Sequence, residues 1–318
     1  MPAFGYLGYA GVAKETTWAT FVPATDFARF NSEGVAKARP PVMLDAVGNS
    51  RLPQVRLAPN EAVAGPLVIP VNIDDVVGYL LKDLLGAEAF TPLESSTVGQ
   101  HVFTPQAALG LTGLSVEINR DSSISNNVWK ASGGHVASLD FTAAPGQVLL
   151  CNAAMTFKDL VSGATGQSPT YGTNARYAMT HTGTVLVGAL PFNMVNFALK
   201  IDAGLMSDRR GLGSKLILQQ QPGRYKISGS ITAYFDDLAL VNAFLNDTAQ
   251  TISVQFTLDS VGVTPLLIKF VITSSAFLSG ETPKVGGPGE VMLTLPFDAV
   301  SGTAGNLLFR IGGFAVRL

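Results

Sequence analysis

The sequence predicts a mainly β protein: two tandem antiparallel β-sandwich or barrel-like domains, each with one short α-helix. Three observations predict it. Apolar and polar residues alternate with a period of two through most of the chain. Only two segments carry an apolar stripe at helical spacing. Glycine (33 residues) and proline (18) are abundant among the 318 residues, and charged residues make up 14 % against 47 % hydrophobic. That mix suits many short strands joined by turns.

In chain order, residues 1–26 come first. Phe4, Gly5, Tyr6, Gly8, Tyr9 and Gly11 precede Lys14 to Trp18 without a clean period. An extended N-terminal arm is expected, because disordered tails avoid aromatics. Period-two strands then dominate. Leu114, Val116 and Ile118 share one face, as do Phe197, Leu199 and Ile201, then Tyr225, Ile227, Ile231 and Phe235. Ile252, Val254, Phe256 and Leu258 follow, and Val291, Leu293 and Leu295 close the series. One buried and one polar face per strand is the antiparallel pattern. Segment 67–73 holds Pro70, which cannot donate to a ladder, so an edge strand or a bulge is expected there.

The two helical stripes are Val76, Val77, Leu80, Leu81, Leu84 and Leu85, ending at Gly86, and Leu238, Leu240, Val241, Phe244 and Leu245, ending near Asn246. Asp74 and Asp236 head them and are the expected helix caps. The pairs Asp74-Asp75 and Asp236-Asp237 are otherwise metal carboxylates, with no third ligand nearby in sequence.

The stripes expose an internal repeat. Ile73 and Phe235 precede the Asp pairs, Pro59 and Gly65 parallel Pro222 and Gly229, and Phe27 to Phe30 parallels Phe197 to Lys200. The loop from Ser162 to Thr173 is the natural joint. The expected organisation is an arm (1–26), a first β domain (27–165) and a second (166–318).

Chemistry is sparse. His101, His135 and His181 are scattered without metal-ligand spacing, and His135, after Gly133-Gly134, is expected at a surface turn. No nucleophile elbow, phosphate loop or dinucleotide fingerprint occurs. Gly286 to Gly289 reads as a turn, since Pro288 removes an amide donor. No catalytic residue, metal or cofactor is expected. Lys plus Arg is 21 and Asp plus Glu is 23, too balanced for a protein that grips phosphates. The lone Cys151 fits a reducing compartment and an inert core position. Met1 to Trp18 lacks a basic head and apolar run, and no apolar stretch approaches the roughly 18 residues of a spanning helix. No membrane partner is expected. So little charge suits a subunit that hides surface against copies of itself. Arg209 and Arg210, in the loop from Met206 to Lys215, are either a solvated pair or a subunit contact. A β-rich binding module, using Trp18 and Trp129, and another self-assembling tube or capsid component are the alternatives.

The opening Gly5-Tyr6-Leu7-Gly8, then Lys14-Glu15-Thr16-Thr17-Trp18-Ala19-Thr20, then Pro23-Ala24-Thr25-Asp26-Phe27 resembles the start of siphovirus tail tube proteins, the major tail proteins of long-tailed phages. Ala19 stands where that family usually has Gly. Looser likeness continues through Ala64-Gly65, Trp129 to Gly134, and Pro222-Gly223 with Ile227 to Ser230. The resemblance implies a structural virion protein and not an enzyme. Its domains join inner strands edge to edge into one β-barrel ring, and rings stack into a tube. The lumen conducts double-stranded DNA during genome ejection. Implied partners are further copies of the chain, the tape measure protein and phage DNA in the lumen, and the tail terminator and baseplate or tip proteins. Viral tail assembly would take place in the host cytoplasm. Two domains per chain imply a trimeric ring of pseudo-sixfold symmetry, with a true hexamer as the alternative. Phe4, Tyr6, Tyr9, Trp18, Arg209 and Arg210 are the candidate inter-subunit or inter-ring contacts.

Overall fold

A computed structural model describes residues 4–44, 55–57, 60–72, 76–95, 98–124, 127–171, 176–188, 190–191, 193–235, 238, 241–242, 245–246, 248–261, 264–277, 290–300 and 308–314. Antiparallel strands dominate, as expected. The first half runs β1 (Tyr9–Lys14), β2 (Asp26–Ala28), β3 (Ser32–Glu33), β4 (Ala36–Ala38), β5 (Val42–Leu44), β6 (Val55–Leu57), β7 (Ala62–Pro70), α1 (Val77–Leu85), β8 (Gly86–Ser95), β9 (Val98–Pro105), β10 (Leu114–Asn119), β11 (Val128–Ala143), β12 (Leu150–Phe157) and β13 (Asp159–Ala164). The second runs β14 (Gly183–Val187), β15 (Leu190–Pro191), β16 (Met194–Asp202), β17 (Lys226–Tyr234), β18 (Gln250–Val261), β19 (Thr264–Phe277), β20 (Met292–Ala299) and β21 (Leu308–Phe314). Helical hydrogen bonds also join Asn242 N to Leu238 O and Asn246 N to Asn242 O. No helix among the described residues is long and apolar enough to cross a membrane.

Both halves use one strand order. In the first it is β3/β4, β7, β12, β11; in the second it is β16, β17, β20, β19. The halves join where β11 pairs with β16, from Ser138↔Asp202 to Ala143↔Phe197. Strand β11 is shared between two layers. Its first part pairs with β10 and β13, and its second part with β12 and β16. Gly133, at φ +64, sits at the change of direction. Strand β19 behaves likewise, pairing with β18 and β21 and then, at Ser275 to Phe277, with β20. Outermost, β1 lies on β10 as β14 lies on β18.

Registers match as well as order. Ala38↔Ala62 and Ser32↔Val68 in the first half correspond to Asp202↔Lys226 and Asn196↔Thr232 in the second. Thr156↔Ala64 corresponds to Asp298↔Ser228. The repeated Gly65 and Gly229 fall at matched positions, opposite Met155 and Phe297. A Cβ on Gly65 would lie 2.1 Å from the Gly34 carbonyl oxygen, and one on Gly229 2.4 Å from that of Ala198. Close backbone approach therefore requires glycine at both. The Phe27 landmark does not align with Phe197. Phe27 lies in β2, and the counterpart of β16 is the β3–β4 pair.

One core runs through both halves. Ile69, Leu80, Phe103, Phe141, Phe157, Phe197, Phe256, Phe270 and Phe297 are fully buried, and α1 packs its apolar stripe onto it. Phe141 and Phe270 meet edge to face at 4.9 Å, which ties the halves together. Cys151 is buried in the core, as expected. Gly86, at φ +92, ends α1 where the sequence places the stop, a positive φ that glycine adopts without steric cost.

Several expectations change. β7 is an interior strand and not an edge, because β12 covers one side and β3/β4 the other. Its prolines are tolerated for local reasons. Pro66 sits opposite the break between β3 and β4, where its carbonyl accepts Gly34 N at 2.9 Å and no ladder donor is needed. Pro70 is the last residue of the strand. The segment expected as an arm contributes β1, whose Ala10, Val12 and Ala13 are buried. Small and β-branched side chains let it lie flat on the core. Asp74, Asp236 and Gly286 to Gly289 lie outside the described residues.

Candidate assembly and channel surfaces

The main sheet buries one face and leaves the other open. Along β7, Val63, Leu67 and Ile69 are buried while Ala62, Ala64 and Pro66 are exposed. Along β16, Phe197, Leu199 and Ile201 are buried while Asn196 and Lys200 are exposed. β17 and β20 repeat this with Lys226, Met292 and Thr294 outward. Apart from Met292 and Pro66 the open face carries small or polar residues, with its described charges near the junction of the halves and beyond it. Lys200 Nζ lies 3.6 Å from Asp140, and Lys226 Nζ 3.6 Å from Asp298. They edge a shallow depression of about 460 Å³. Opposite charges at this spacing on an open face leave little net field and contribute little stability.

A second surface is the end of the first half, where a loop of the second half lies across it. The chain from Ala203 to Tyr225 leaves β16 and returns to β17, and in between it crosses the ends of β11, β12 and β7. Gln220 Nε2 donates to the carbonyls of Gly133 and Thr156, each at 3.2 Å. Glu61 N donates to Lys215 O at 2.9 Å. The Glu61 carboxylate takes Lys215 at 2.6 Å, Arg39 at 2.6 Å and Lys37 at 3.2 Å. Lys215, then Lys37 and Arg39, hold its carboxyl below the usual range against the opposing effect of burial. Arg210 Nη1 donates to the carbonyls of Glu61 and Lys215, both at 3.0 Å, and its Nε pairs with Asp208 at 2.6 Å. Arg209 donates to Gln219 O at 3.0 Å. Both arginines therefore fasten this loop within the chain.

The N-terminal motif also has a local role. Glu15, buried, accepts from Ala19 N at 2.6 Å, Ser115 Oγ at 2.8 Å and Gly133 N at 2.8 Å. It thereby ties the turn after β1 to β10 and to the bend in β11. Ala19 adopts φ +61, a conformation that costs an L-residue about 1–2 kcal/mol; that accounts for glycine in the related motif. Trp18 is half-buried, with Lys158 Nζ 4.7 Å from its ring centroid. Tyr9 is buried and donates to Glu117 at 2.6 Å. Burial, then Glu117, pushes its hydroxyl well above the ordinary range. Phe4 and Tyr6 are exposed, stacked at a tilt 5.7 Å apart. Phe4 N donates to Asp121 at 2.8 Å. Of the candidate contacts, these two are the aromatics open to a partner.

His135 is not at a surface turn. It is fully buried within β11, with Nδ1 2.9 Å from Asp83, which also accepts Val136 N at 2.8 Å. The strand runs through Gly133-Gly134, so two glycines mark a bend and not a chain reversal. His101 pairs with Glu88 at 2.8 Å within the β8–β9 hairpin. No group of three or more metal-ligating side chains occurs among the described residues. Glu61, Asp83 and Gln220 were invisible to sequence reasoning, because each acts on a partner remote in sequence; Glu15 stands in the N-terminal motif, but its bonds to Ser115 and Gly133 were equally hidden.

The family model described as phage tail tube protein matches residues 5–299. No curated protein matches the chain. The match spans both halves, the shared strand order and the N-terminal motif, and the chain belongs to the phage tail tube protein family, a family of structural virion components.

Proposed function

We propose that this chain forms the tail tube of a long-tailed, siphovirus-type phage as stacked trimeric rings. Each chain fills two of six pseudo-equivalent ring positions, one with residues 27–165 and one with 166–318. The observation that carries this reading is the seam between β11 and β16. It joins two sheets of identical order and register within one chain. At the far side, β3 and β4 pair only with β7 among the described residues. A seam of the same kind between β19 of one copy and β3/β4 of the next closes the ring and leaves no open edge.

In such a ring the open sheet face lines the bore. Ala62, Ala64, Asn196, Thr294 and the pairs Lys200–Asp140 and Lys226–Asp298 offer a near-neutral wall. Double-stranded DNA slides past such a wall during ejection without being held. The tape measure protein occupies the bore before that, the terminator and baseplate or tip proteins close the two ends, and assembly takes place in the host cytoplasm. Exposed Phe4 and Tyr6 extend toward the neighbouring ring. Electron microscopy of the concentrated protein tests the reading. Hollow tubes with a bore wider than a DNA duplex are expected, and monomers at every concentration would overturn it.

A further inference from the structure

We propose that the β5–β6 hairpin is a strap between subunits, lying across the second half of a neighbouring copy, with Arg56 docked on that copy's Asp298. The inference rests on the ring reading and assigns one of its contacts.

The chain between Ala38 and Ala62 is as long as that between Asp202 and Lys226, and these ends occupy matched positions. The described residues of the two crossings therefore occupy matched positions. The antiparallel pair Val42↔Leu57 in one falls where the bridge Met206↔Gln221 falls in the other. Arg56 then stands where Gln220 stands. In the second half this crossing covers the neighbouring first half, and Gln220 is buried on Gly133 and Thr156. Among the described residues, the first-half crossing shows no such seat within its own chain. Arg56 is exposed, whereas the matched Gln220 is 1 % exposed.

The missing seat exists on a second copy. In a ring, the first half adjoins the second half of the preceding chain as the second half adjoins the first within a chain. The position matched to Thr156 there is Asp298. Its Oδ1 is buried without a hydrogen-bond partner, although Lys226 approaches Oδ2 at 3.6 Å. A guanidinium reaching this carboxylate supplies a charge-assisted bond where the intrachain contact uses a neutral amide on backbone carbonyls.

The test is a thiol pair, Arg56→Cys with Asp298→Cys, in tubes of the full chain treated with a short bismaleimide; Cys151 is buried. Covalent trimers on a denaturing gel are expected. Tubes that form but yield only monomer bands overturn the strap and leave the ring standing. Absence of rings from the unaltered protein overturns both. If the double-cysteine protein does not assemble, charge exchange decides. Arg56→Asp should raise the concentration needed for assembly by about tenfold or more, and adding Asp298→Arg should restore it. Assembly of the Arg56→Asp protein at the unaltered concentration overturns the strap.

Discussion

The two halves share a backbone plan and differ in how they hold its bend. In the first, β11 changes layers at Gly133, and a buried His135–Asp83 pair fixes the turn of the strand against α1. In the second, β19 carries Ser275 and Ala276 there, and Ser275 Oγ donates to Gln250 O at 2.8 Å. The halves differ again after the helix. The first half inserts the β8–β9 hairpin, whose β9 crosses to pair with β21 of the second, from Phe103↔Phe309 to Val98↔Phe314. Strand pairing and register are therefore the constant, and side-chain chemistry varies with what each half touches. The first half meets a loop of its own chain and answers it with Glu61; the second carries Tyr225 at that position, its hydroxyl donating to Leu84 O. Burial, then Asp83, pushes that hydroxyl up to about 12.

Substitutions separate the two solutions. Asp83→Ala leaves His135 and Val136 N without their acceptor in the core, and should cost about 3–5 kcal/mol in denaturant unfolding. Ser275→Ala, at the corresponding bend, should cost about 1 kcal/mol. Equal losses would show that the bends are held alike. Between these lies Gln220→Ala, which strips donors from Gly133 O and Thr156 O and should cost about 1–3 kcal/mol.

A pH scan reads the same seat. Because Lys215 and its neighbours hold the Glu61 carboxyl below its ordinary value, the stability it contributes is fully present above the value of the unfolded chain. It is lost as pH falls through the lower folded value. Glu61→Gln should flatten the acid limb of the unfolding curve, and an unchanged limb would remove Glu61 from the account. The smallest effect expected is a gain. Ala19→Gly relieves φ +61 and should stabilise by about 1 kcal/mol or less, since glycine also loosens the unfolded chain.

What was legible in the sequence was local. Period-two alternation located β10, β16, β17, β18 and β20, and the Leu80, Leu84, Leu85 stripe with Gly86 located α1. Gly65 and Gly229 marked the repeat because close backbone approach forbids a side chain there. The rest depended on distant partners. Nothing around Glu15 signals that Ser115 and Gly133 will fold onto it. Gly133-Gly134 read as a reversal because a bend inside a long strand uses the same residue. Pro70 read as an edge because the break between β3 and β4, which accommodates the nearby Pro66, is set by a different segment of chain.

The central claim is that one chain occupies two positions in its ring. Averaging cryo-electron micrographs of the tubes tests it most directly. The account predicts threefold symmetry, with β8–β9 density on alternate positions only and a β19 to β3/β4 seam between copies. Six identical positions, each holding a whole chain with its second half outside the barrel, would contradict it.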